Sequence, residues 1–149
     1  MRLIGLLVAF VVAVLVAQAI GASASTYFVL ENLEEMGQHT SWAERIYWMG
    51  RDIWGMWFQS EFPYGIIIAV GFFIAFIVAW FIAKAVSSLA WLVFMLAGAA
   101  AVIVGNESLA AMLGVIPIAG AREFVGLLAQ GGAGAVGGLF FSLLRPRND

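Results

Sequence analysis

Four stretches of about twenty residues carry no charged side chain: Leu3 to Ser23, Tyr64 to Ala83, Ala85 to Gly105 and Phe124 to Leu144. At 1.5 Å per residue, about 20 apolar residues are what a helix needs to cross the roughly 30 Å hydrocarbon layer of a bilayer. Lipid offers the backbone no hydrogen-bond partner, so such runs must satisfy their own amides as helices. The whole chain fits that setting, since its 149 residues are 64% hydrophobic and only 11% charged. Its mean hydropathy is +1.02, too high for an ordinary soluble domain to keep enough polar surface in water. The expected fold class is all-α: a polytopic integral membrane protein forming one transmembrane domain over 1–149. Its four-helix bundle uses helices at about 3–25, 64–83, 85–105 and 122–144.

The first run has two readings. Ala22-Ser23-Ala24 has the small-residue pattern of a signal-peptide cleavage site, but the apolar stretch exceeds the roughly 7 to 15 residues of a usual signal core. A retained helix is favoured. Gly5, Ala9, Ala13, Ala17, Gly21 and Ser25 recur every fourth residue and form one small-residue stripe, which lets helix backbones approach closely in lipid. A second stripe, Gly71, Ala75, Ala79 and Ala83, opposes a bulky set of Phe72, Phe73, Phe76 and Phe81. The third is the glycine-rich run Gln130-Gly-Gly-Ala-Gly-Ala-Val-Gly-Gly138. There Gly126, Gly134 and Gly138 align with Gln130, while Gly131 and Ala135 lie on another line. This last helix is the expected contact hub.

Between the first two spans, 26–62 is an interfacial or extracytoplasmic segment with six acids, two arginines and four of the six tryptophans. Residues Tyr27 to Gln38 extend the first helix until Gly37 weakens it. Ser41-Trp-Ala-Glu44 fits a capping box and opens an amphipathic interfacial helix, with Trp42, Ile46, Met49, Ile53 and Trp57 on one face. Trp42, Trp48, Trp54, Trp57, Trp80 and Trp91 are expected at headgroup level, and Lys84, between Trp80 and Trp91, is a snorkelling anchor. Pro63 falls in the first turn of the second span, where its missing N–H is harmless. The tight connection through Ser87 and Ser88 makes the second and third spans antiparallel neighbours. Asn106 is expected to cap a short outer helix over 107–113, ended by Gly114. Val115 to Ile118 is then interfacial or shallowly re-entrant, and Glu61, Glu107, Arg122 and Glu123 mark outer boundaries.

Arg2, Lys84, Arg145 and Arg147 fall on one side of such a bundle and the acidic segment on the other. This places both termini in the cytoplasm and suggests a bacterial inner (plasma) membrane.

Chemistry is sparse. Gly132-Ala-Gly-Ala-Val-Gly137 matches the letters of a dinucleotide fingerprint, but it lies inside an apolar run and lacks the acid some 20 residues later, so helix packing is the better reading. Gln18 and Gln130 lie at similar depth in the outer third of the bilayer and are expected to form an intramembrane hydrogen-bonded pair. Glu31, Glu35 and His39 share one helical line and are a weak metal-ligand candidate, interrupted by Gly37. There is one histidine and no cysteine. No catalytic constellation, cofactor or basic nucleic-acid-binding patch emerges. The expected function is non-enzymatic: helix–helix association in the lipid bilayer, as a homo-oligomer or with other membrane subunits. A small oligomeric channel or transporter with a pore between subunits is the alternative.

Overall fold

A computed structural model of the chain describes residues 2–58, 64–114 and 118–146. Pro63, Glu61, Val115, Ile116, Pro117 and Arg147 lie outside the described residues. Among the described residues five α-helices follow in order: α1 (Arg2–Glu35), α2 (Trp42–Phe58), α3 (Tyr64–Ala85), α4 (Ala90–Leu113) and α5 (Phe124–Leu144). No strand occurs among the described residues. Helices α1, α3, α4 and α5 are long and apolar enough to cross a membrane.

Their side-chain distribution is that of a protein solvated by lipid. Leu3, Ile74, Leu96 and Val125 are exposed, whereas Gln18, Asn106 and Gln130 are almost wholly buried.

The 34 residues of α1 make it roughly 50 Å long, more than one membrane thickness, so its last turns extend past the apolar run. Gly37 ends the extension with φ of +87°, a left-handed conformation that side chains disfavour. In α2 the capping box forms: the Ser41 backbone N–H donates to Glu44 Oε2 at 2.7 Å, and the Glu44 N–H donates to Ser41 Oγ at 3.3 Å. The Ser41 backbone N–H, then its hydroxyl, hold the Glu44 carboxyl below the usual carboxylate range.

Helix α2 meets α1 through its polar side. Arg45 is buried, bonded to Glu34, while Trp42 and Ile46 are exposed. Asp52 accepts a 2.7 Å bond from the Thr26 hydroxyl. Polar tethers therefore join α2 to α1, and most of its aromatic surface points away.

A 3-10 turn, Ser87–Leu89, links α3 to α4. Helix α4 departs from expectation beyond Gly105: no separate helix begins at Asn106, because α4 continues to Leu113 and stops at Gly114, φ +73°. Asparagine inside a helix sacrifices well under ~1 kcal/mol of propensity. Here its side chain accepts a 3.2 Å bond from the Tyr64 hydroxyl instead of capping.

The core joins α1, α3, α4 and α5, and its aromatic part sits among the last three. Phe76 stacks on Phe141 with ring centroids 4.4 Å apart, and Phe94 closes on both. Phe72 and Phe76 thus turn inward, while Phe73 and Phe81 face out. The glycines of α5 explain the division, because a helix without side chains leaves a trough that rings fill. A Cβ on Gly137 would lie 2.9 Å from Phe72 Cε2.

Candidate functional site

Two features of the bundle interior are built from unusual residues: the glycine face of α5 and a polar layer toward the acidic end. On α5, Gly134 opposes Gly98 of α4, each where the other's carbonyl oxygen would collide with an added Cβ. One turn on, Gly138 rests on the Phe94 carbonyl, and Gly131 meets Ile103. Gly137 faces α1, where a Cβ would stand 2.7 Å from the Ala13 carbonyl oxygen. Gly126 packs on the Gly120 carbonyl of a second 3-10 turn, Ala119–Ala121. Backbone-to-backbone approach on both sides of one helix is possible only without side chains, and it maximises dispersion contact where lipid supplies no hydrophobic drive.

The first stripe is spent on this hub. Ala9, Ala13, Ala17, Gly21 and Ser25 are all buried, and Gly5 is half-buried under Pro146, 3.0 Å from a Cβ placed there. Ala79 is buried, but Gly71 and Ala75 are only half-buried. A Cβ on Gly71 would meet Ala101 of α4 at ordinary contact distance, 3.5 Å.

The polar layer differs from the expected glutamine pair. Gln130 does reach α1, but its Nε2 donates to the Gly21 carbonyl at 2.7 Å. Gln18 is 1% exposed, and neither of its amide atoms has a hydrogen-bond partner. A helix carbonyl keeps a second lone pair after its own helical bond, so Gly21, lacking a side chain, offers a nearer acceptor than Gln18. The antiparallel register of Ile103 against Gly131 carries Asn106 to within about one turn of Gln130. Asn106 and Tyr64 therefore belong to the same layer. Gln130 Oε1 and Asn106 Nδ2 also have no partner. The sequence signal for these two was available, since Asn106 directly follows an uncharged run, but reading it as a helix cap hid it.

The other candidates scatter. Glu31, Glu35 and His39 are exposed, and α1 ends at Glu35, so His39 leaves the line on which the three could converge. Among the described residues no group of three histidine or acidic side chains is placed to hold a metal ion. Of the tryptophans, Trp42 and Trp54 are strongly exposed and Trp48 and Trp91 less so. Trp57 is instead packed over Gly65, whose Cβ would stand 2.7 Å from its ring. Trp80 is half-buried beside the core. Lys84 is exposed, its ammonium 5.5 Å from the Phe81 ring centre.

Below the polar layer the interior is closed by Phe72, Phe76, Phe94 and Phe141, all at most 5% exposed, and among the described residues the next buried polar side chain toward the other end is Ser142. What the interior can do chemically is bond and pack. No protein-family model, curated protein or solved structure matches this membrane chain.

Proposed function

We propose that the protein is a small, non-enzymatic integral membrane protein that works by helix–helix association, as a homo-oligomer or as an accessory subunit of a membrane complex. One observation carries this reading. The stripes of α1 and α5 are consumed inside the bundle, but small residues along the seam between α3 and α4 are left only partly covered. Gly71 and Ala75 of α3, with Ala100, Ala101 and Gly105 of α4, line an apolar groove of about 500 Å³. A Cβ on Gly105 would meet nothing within 4 Å. Small residues on an outer helix face give a neighbouring transmembrane helix room to approach.

In the same reading, α2 lies along the membrane surface with Trp42 and Trp54 at headgroup level. Arg2, Lys84 and Arg145 mark the cytoplasmic side, so both termini are cytoplasmic, in a bacterial inner membrane. The phenylalanine core argues against a pore through one bundle.

The test is a bulky residue in the groove. Gly105→Leu adds a side chain whose Cβ meets nothing within 4 Å, so it leaves the bundle folded and lowers the fraction of associated protein in a native gel. An unchanged associated fraction would remove the groove from the account.

A further inference from the structure

At the opposite end of the bundle from the polar layer, a cavity of about 490 Å³ opens among the ends of α3, α4 and α5. Its lining includes Lys84 from α3, Ser87 and Ser88 from the connecting turn, Arg145 after α5, and the indoles of Trp80 and Trp91. Among the described residues none that lines it is acidic. Two cations and three serine residues, Ser142 of α5 included, thus converge between two aromatic walls. The arginine is held rather than loose: its guanidinium carbon stands 5.7 Å from the centre of the Trp80 ring and 4.5 Å from that of Phe94. Helix α4 begins at the same place, and no side chain caps it or the turn before it. The positive end of its backbone dipole therefore adds to the field.

Trp80 also lines a second space of about 430 Å³, an apolar groove between α1 and α3 bounded by Leu6, Phe10, Phe73, Ile77 and Phe81. One indole thus forms a wall of both a cationic pocket at the helix ends and an apolar channel running along the lipid-facing side. That is the shape of an amphiphile with an anionic head. We infer that this end of the bundle is a binding site for an anionic phospholipid, its phosphate held by Lys84, Arg145 and the serine hydroxyls and an acyl chain laid along the α1–α3 groove. A guanidinium offers phosphate a paired set of N–H donors, and lysine adds a point charge. The inference needs the helices to span a membrane but does not depend on self-association.

The experiment is native mass spectrometry of the full chain, transferred from detergent micelles doped with phosphatidylglycerol or with phosphatidylcholine of the same acyl chains. Phosphatidylglycerol is retained about 25-fold more than phosphatidylcholine, about fivefold for each of the two basic residues near an anionic lipid surface, and Lys84→Gln reduces that preference by about fivefold. Lys84 is exposed, so this variant folds; Arg145→Gln gives a second reading where its loss from the Trp80 and Phe94 rings is tolerated. Excess inorganic phosphate does not displace the lipid, because the acyl chain contributes. Equal retention of the two lipids, a preference unchanged in Lys84→Gln, or displacement by inorganic phosphate each overturns the assignment, the last in favour of a free-anion site.

Discussion

Replacing Gly134 by alanine adds one methyl group where α4 and α5 meet backbone to backbone. The new Cβ falls against the Gly98 carbonyl and 2.7 Å from Val102 Cγ2. The valine methyl can rotate away, but a helix carbonyl cannot, so α4 and α5 must part by about 1 Å to restore ordinary contact. Because Gly138 rests on the Phe94 carbonyl one turn away, that separation loosens the interface over more than one residue. Overpacking of this kind costs about 1–3 kcal/mol, partly offset by the ~1 kcal/mol that alanine gains over glycine as a helix former. Gly132 provides the control on the same helix, since its Cβ would meet nothing within 4 Å. Gly132→Ala collects the propensity gain alone and stabilises by up to ~1 kcal/mol. Equilibrium unfolding in mixed micelles, followed by circular dichroism, should separate the two variants by about 2 kcal/mol with opposite signs relative to wild type. If both shift stability the same way, the glycine face of α5 is not the contact described. Gly134→Leu and Gly138→Leu go further and break assembly, while Phe140→Leu, at a 39% exposed position, does not.

Two more perturbations separate bonded from unbonded polar groups. Gln18→Met removes buried amide atoms that have no partner and should stabilise the protein or leave it unchanged, whereas Gln130→Met forfeits the bond to Gly21 and should destabilise it by about 1 kcal/mol in the same unfolding assay. Glu44 supplies a pH test. Its folded carboxyl titrates below the usual range, so the cap's contribution is complete above the unfolded value and disappears as pH falls through the lowered folded one. An NMR titration should show that depression in wild type and its loss in Ser41→Ala.

The spanning helices were legible because lipid makes length and apolarity nearly sufficient: Tyr64 to Ala83 and Phe124 to Leu144 could hardly be anything else. Which faces turn inward was harder to read. Phe72 and Phe73 are neighbours of identical chemistry, and their separation into core and lipid follows from the volume left by Gly137, on another helix. Asn106 looked like a helix start because its role depends on Tyr64, 42 positions away in sequence. Likewise Gln130 chose a backbone carbonyl over Gln18, a competition that side-chain inventory does not reveal. In α2 the apolar line from Trp42 to Trp57 was visible, but the deciding contacts were Arg45 with Glu34 and Asp52 with Thr26. The polar side of α2 is thus the side that docks on α1.

The mass of the natively extracted protein tests the central claim most directly. Gentle extraction into lipid nanodiscs followed by native mass determination should find a particle larger than the 16.0 kDa chain, made of further copies or of other membrane subunits. A homogeneous 16.0 kDa species with no co-purifying protein would contradict association as the protein's function.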